Sequence, residues 1–183
     1  KLFTGGAPVS VPLCRQLLEA FPKVEGYAVY GSTEAEPMAK ARLEQLVELD
    51  GQGRGFLAGR VASVATIELV SFPTAIPDID ERGIEPYRVP RGEEGEIIVS
   101  GDHVNREYLD NPQANRENKI HVGSSQVWHR TGDVGYFDDN DLLGLTGRVK
   151  DVVHHRSKML QPFPVEAELD QIAGVTRSAL VSC

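Results

Sequence analysis

Apolar residues recur at helical spacing near the start of the chain. Leu13, Leu17, Leu18 and Phe21 predict an amphipathic helix over residues 8–21, opened by Pro8 or Ser10 and stopped by Pro22. The apolar run from Val24 to Tyr30 suits a buried strand ending at Gly31. Leu43, Leu46, Val47 and Leu49 then repeat on a helical period within residues 40–49, closed by Asp50-Gly51. A helix, a strand, a loop and a helix in succession are α/β in character. From about residue 60 the pattern changes. Val61–Val70 and Gly95–Ser100 are rich in β-branched residues, with Pro73, Pro77, Pro86 and Pro90 between them as an exposed connection or hairpin arm. Gly135–Leu143 carries Asp and Asn turn residues between two apolar runs, the pattern of a hairpin. Val165–Ile172 predicts a short helix, and Ser178–Ser182 the start of a strand.

These patterns predict a mixed α/β chain in three parts. Residues 1–60 read as the end of an α/β sheet subdomain, 61–147 as a small β-barrel-like module, and 148–183 as a hinge and the start of a small α+β domain. A length of 183 residues is enough to bury a real core.

A formal charge of −8 argues against a general nucleic-acid or anionic-membrane surface. His154, His155, Arg156 and Lys158 form the one basic cluster, in which two adjacent histidines without a third ligand read as solvent-exposed. No apolar run approaches the roughly 20 residues of a membrane span, and no secretory leader opens the chain at Lys1-Leu2-Phe3. Cys14 and Cys183 are the only cysteines, and both read as reduced. A cytoplasmic protein is expected.

Candidate chemistry concentrates in three blocks. In Tyr30-Gly31-Ser32-Thr33-Glu34, glycine at a strand end lets backbone N–H groups approach a phosphate, and a hydroxyl beside a carboxylate suits a phosphate oxygen and a divalent cation. The competing reading is an ordinary turn, with Ser32 or Thr33 capping a helix and Glu34 in its first turn. In His129-Arg130-Thr131-Gly132-Asp133, the aspartate can accept charge-assisted hydrogen bonds from both hydroxyls of a ribose. Gly147-Arg148-Val149-Lys150-Asp151 adds a guanidinium and an ammonium.

In this order and spacing, with Gly5-Gly6-Ala7-Pro8 upstream, the blocks resemble the later motifs of the adenylate-forming enzymes: acyl-CoA synthetases, luciferases and peptide-synthetase adenylation domains. The resemblance implies that Gly5, Gly6 and Ala7 line an adenine pocket, and that Tyr30 lies against the adenine, with Gly31 beside it. It implies that Thr33 contacts phosphate and Glu34 binds Mg²⁺, the two residues nearest the chemistry. Asp133 would bind ribose, Arg148 ribose or phosphate, and Lys150 would mark a hinge. Gly95–Gly101 with Tyr108-Leu109 and Asn111-Pro112 is similar to the family's β-module signature, whose role there is mostly architectural. The implied reaction joins a carboxylic acid, expected to be fatty, to ATP, giving acyl-AMP and pyrophosphate, with CoA or a carrier thiol as later acceptor.

Two departures qualify that expectation. The family's Ser/Thr/Gly-rich phosphate loop and its terminal catalytic lysine have no counterpart in these residues, so the chain reads as a fragment of a larger enzyme, inactive alone. After Val152-Val153 the family carries a glycine-containing loop that faces the thiol, whereas here His154–Lys158 stand, with about two extra residues before Pro164-Val165-Glu166. Ser32–Pro37 and Trp128–Asp133 also resemble the β-lactone synthetases of bacterial olefin biosynthesis, which use ATP on a β-hydroxy acid and need no thiol. A module that keeps the adenylation scaffold without catalysis is the remaining alternative.

Overall fold

A computed structural model describes residues 1–52, 54–71, 83–156 and 158–182. Nine described strands form one mixed sheet. Its strands in chain order are β1 (Leu2–Gly5), β2 (Gly26–Ser32), β3 (Ala35–Arg42), β4 (Phe56–Val61), β5 (Thr66–Val70), β6 (Gly95–Ser100), β7 (Lys119–Val122), β8 (Gln126–Phe137) and β9 (Leu143–Arg148). The spatial order is β1-β2-β3-β4-β9-β8-β6-β5, with β7 also paired to β8. Pairing is parallel between β1 and β2 and antiparallel elsewhere among the described strands. The expected α/β character is therefore present as a mixed sheet with few helices. The strands of the expected barrel-like module run as an open order and do not close. β4 belongs to both halves, because it pairs with β3 on one side and β9 on the other.

Among the described residues, four short α-helices accompany the sheet. α1 spans Val11–Ala20 and is capped by the Ser10 hydroxyl, which accepts the Leu13 N–H. Its buried side is Cys14 with Leu17 and Leu18, while Leu13 and Phe21, expected on the apolar face, are exposed. The small Cys14 side chain lets the helix approach Ala28 and Ala41 of the sheet closely. Burial pushes the pKa of its thiol up, so this free cysteine stays a protonated, unreactive thiol. α2 is shorter than its periodicity predicts, Leu43–Glu48, because residues 40–42 extend β3 instead. β3 itself was not expected: Ala35–Arg42 has no β-branched residue and pairs as a strand because it fills the space between β2 and β4. α3 spans Pro112–Asn118, and α4 spans Pro162–Leu169.

β6 lies at the centre of the core, with all six residues buried. Ile97 and Val99 face one cluster with Met38, Ile67, Leu69 and Leu143, and Ile98 faces another with Val70, Ile84, Ile120 and Trp128. A strand covered on both faces reads as an unbroken apolar run, as Ile97-Ile98-Val99 does.

Past β9 a 3-10 turn (Val149–Asp151) leads to the hairpin β10 (Val153–His155) and β11 (Lys158–Leu160). His154 and His155 are exposed on β10, as expected. Ser178–Ser182, expected to begin a strand, is not one. The Ser178 hydroxyl donates to the Glu166 carbonyl and the Leu180 N–H to Glu166 Oε1, so the segment is tied to α4 and pairs with no described strand. Pro73 and Pro77 of the proline-rich connection, and Cys183, lie outside the described residues. No described helix is long and apolar enough to cross a membrane.

Gly59 sits at the irregularity where β4 meets β9, with φ of +95°, and a Cβ there would lie 2.2 Å from the Lys40 carbonyl oxygen. Gly92 has φ of +83° but open space around it. Gly59→Ala is therefore expected to destabilise by about 2–3 kcal/mol, and Gly92→Ala by about 1 kcal/mol. Denaturant melts of the two variants check this, and equal losses would contradict the close approach at Gly59.

Candidate nucleotide site

The site begins with a defect in the sheet. β8 pairs with β7 up to His129 and with β9 from Asp133 onward, so its partner on that side changes across residues 130–132. On the other side, the register against β6 shifts between Glu96 and Ile98. The local sequence answers the backbone groups this leaves over. Gly132 takes φ of +70°, a left-handed conformation costly to other residues. Thr131 Oγ1 donates to the Ile97 carbonyl at 2.8 Å and accepts the Asp133 N–H at 3.0 Å. Behind it, the Arg130 guanidinium forks onto the Glu96 carboxylate, which is 2% exposed, so neither buried charge is left alone. The Thr-Gly-Asp spacing is what this bulge requires.

Asp133, so placed, is the register partner of Arg148 on β9. Arg148 Nη1 stands 2.9 Å from Oδ1, and the Tyr30 hydroxyl donates to Oδ2 at 2.7 Å. Three residues from three strands thus meet at one carboxylate. Burial pushes the Asp133 carboxyl up from its ordinary value, against the opposing pull of Tyr30 and Arg148. Burial, and then the charge of Asp133, hold the Tyr30 phenol well above its ordinary value, so it remains a donor.

The first block folds as a hairpin turn and caps no helix. Ser32 pairs with Ala35, leaving Thr33-Glu34 as the two turn residues between β2 and β3. Gly6, Gly31, Ser32, Thr33, Glu34 and Glu36 line a cavity of about 410 Å³ with Val29. Ser32 Oγ is buried there with no hydrogen-bond partner among the described residues. Gly5 fits beside β2 only as glycine, since a Cβ would lie 2.5 Å from the Val29 carbonyl oxygen. Ala7 is exposed in the segment before α1. Tyr30, Asp133 and Arg148 form a group of their own and do not line this cavity, whereas Lys150 stands exposed in the 3-10 turn and joins neither group.

Glu34 has partners that sequence reasoning missed. The Tyr108 hydroxyl donates to Glu34 Oε1 at 2.9 Å, and the Asn105 N–H donates to the Glu34 carbonyl at 2.9 Å. His129 Nε2 lies 4.0 Å from Oε2. Lys119 is buried, donates through Nζ to the Asn105 carbonyl at 2.8 Å and sits 5.1 Å from the centre of the Tyr108 ring. Burial would raise the Glu34 carboxyl, but the Tyr108 hydrogen bond, the nearby Ser32 hydroxyl, its own N–H and nearby His129 outweigh that and hold it below its ordinary value. Burial lowers Lys119 to about 8. Burial and then Lys119 lower His129, and burial with the bond to Glu34 raises Tyr108 to about 12. Tyr108 belongs to the segment read as architectural. Its one legible signal was a lone tyrosine between a β-rich run and Asn111-Pro112.

Two carboxylates, Asp133 and Glu34, are thus each held by a tyrosine hydroxyl, and Glu34 borders a cavity lined largely by small residues. The chain belongs to the AMP-binding enzyme family, whose model matches residues 1–109. An olefin β-lactone synthetase of Stenotrophomonas maltophilia is 32% identical over 99% of this chain and 34% of its own length. The acyl-CoA ligase sidI of Aspergillus fumigatus is 30% identical over 90% of this chain and 25% of its own length. Among solved structures, an amide bond synthetase of Marinactinospora thermotolerans superposes with a TM-score of 0.75 at 25% identity, covering 100% of this chain and 33% of that one. The chain therefore spans about a third or less of these relatives.

Asp133 tests the electrostatics directly. Its folded-state pKa lies above the ordinary carboxylate value, so stability that is fully present below pH about 4 is lost as pH rises through the folded pKa. Asp133→Asn keeps the shape and removes that loss. The variant's thermal midpoint relative to the parent should rise between pH 4 and pH 7, and a relative fall would contradict the raised pKa.

Proposed function

We propose that this chain carries the nucleotide-holding part of an enzyme that activates a carboxylic acid as acyl-AMP, releasing pyrophosphate from ATP. The observation that carries the reading is the Asp133 carboxylate, held by Tyr30 and Arg148 with its remaining lone pairs available as acceptors. Asp133 accepts the two ribose hydroxyls, and Arg148, about half exposed, reaches ribose or phosphate. Tyr30 serves the adenine side, with Gly5, Gly6 and Ala7 giving the base a close backbone approach. Gly31 and Thr33 face the phosphates from the cavity.

Glu34 is the residue for Mg²⁺. An ionised carboxylate with one oxygen hydrogen-bonded, beside a buried hydroxyl without a partner, fits a hard cation and its phosphate. When bound, that cation supplies neutralisation of charge gathering on the phosphate oxygens. Residues 148–183 form the hinge and the opening of a lid domain, with Lys150, exposed in its turn, as the pivot; residues 1–60 and 61–147 form the two parts of the larger domain.

The acid we infer is fatty, and the acceptor a CoA or carrier thiol. A β-hydroxy acid closed to a β-lactone is the second reading. It is favoured by the likeness to the olefin β-lactone synthetase and by the β10–β11 hairpin, which bears His154, His155, Arg156 and Lys158 where the family has glycines.

Acid-dependent ATP–pyrophosphate exchange on the complete protein tests the reaction, with short, long and β-hydroxy fatty acids as substrates. Exchange should depend on one acid class. Asp133→Ala should weaken nucleotide binding by about 1–3 kcal/mol. Unchanged affinity would contradict the ribose assignment, and absence of exchange with every acid would favour a non-catalytic module.

A further inference from the structure

Resting on the reading of Glu34 as the cation-holding carboxylate, we propose that Tyr108 is its positioning residue, fixing Oε1 so that Oε2 faces the cation. Glu34 occupies the two-residue turn between β2 and β3, the part of a hairpin least restrained by its own strands. A carboxylate there samples several rotamers unless something outside the hairpin holds it. Tyr108, 74 residues away in the chain, supplies that hold through its hydroxyl.

The tyrosine is itself fixed at both ends. Its N–H donates to Asn115 Oδ1 at 2.6 Å, and Asn115 Nδ2 donates back to the Tyr108 carbonyl at 3.0 Å, tying its backbone to α3. Its ring packs near the Lys119 ammonium and, in an edge-to-face arrangement, near the His129 ring, whose centroid is 6.5 Å away. The same Lys119 grips Asn105, whose N–H holds the Glu34 backbone. The turn is therefore clamped at main chain and side chain by one connected set of residues. Oε2 accepts no hydrogen bond from the described residues, which leaves it the free ligand oxygen. A carboxylate fixed before binding gives up less rotational freedom when the cation arrives.

The test is Mn²⁺ binding to the complete protein in the presence of ATP, read by the electron paramagnetic resonance of free Mn²⁺. Tyr108→Phe keeps the ring and removes only the hydroxyl; it should weaken Mn²⁺ binding about tenfold. In a Glu34→Gln background, the same change should have no further effect, because Tyr108 acts only through Glu34. If Glu34→Gln leaves Mn²⁺ binding intact, the cation reading fails and the proposal with it. If Glu34→Gln weakens binding and Tyr108→Phe does not, only the positioning role is overturned. Equal losses from Tyr108→Phe in both backgrounds would show a merely structural role and overturn it too. Should Tyr108→Phe lower the thermal midpoint, the titration is run at a temperature where circular dichroism shows the variant fully folded, and Mn²⁺ binding at the parent value there overturns the proposal.

Discussion

The carboxylate of Asp133 is the point on which the rest of the structure turns. It joins β2, β8 and β9 through Tyr30 and Arg148, and these strands are not all neighbours in the sheet. Placing a carboxylate there has a cost, visible in its raised pKa. A hydrophobic residue at the same place would serve stability better. The local structure is arranged to meet that cost: Gly132 supplies the turn, Thr131 satisfies the leftover carbonyl of Ile97, and the Arg130–Glu96 pair braces the strand beneath. A charge maintained against desolvation, in a bulge built to present it, is a sign of use rather than of folding.

The same logic extends to Glu34, by different means. Asp133 is held by strands, whereas Glu34 stands on a turn and depends on the Tyr108, Asn105 and Lys119 set for its place. Both carboxylates accept a tyrosine hydroxyl at one oxygen. Each phenol is held protonated by burial and by the carboxylate it serves. One difference follows from the surroundings. Asp133 is raised because burial outweighs its partners, while Glu34 is lowered because its partners outweigh burial. Glu34, the more acidic of the two, is the one suited to a cation.

Much of the fold was legible because its signals are local. Ser10 and the spacing of Leu17 and Leu18 announce α1, and Ile97-Ile98-Val99 announces a strand covered on both faces. β3 was not legible, because Ala35–Arg42 lacks β-branched residues and is a strand only by virtue of its neighbours. The end of the chain misled for the opposite reason: Ser178–Ser182 has strand composition but is tied to Glu166 of α4. At the site, Tyr30, Glu34, Asp133 and Arg148 could be picked out by motif. Tyr108, Asn105 and Lys119 could not, since their roles arise from contacts between segments far apart in the chain.

The most direct test of the account is whether Asp133 reads ribose hydroxyls. The measurement is calorimetric titration of the complete protein with ATP and with its 2′-deoxy and 3′-deoxy analogues, repeated on Asp133→Asn. The account predicts that the parent binds each deoxy analogue about tenfold more weakly than ATP, and that the difference shrinks in the variant. Equal affinity of the parent for all three nucleotides would contradict it.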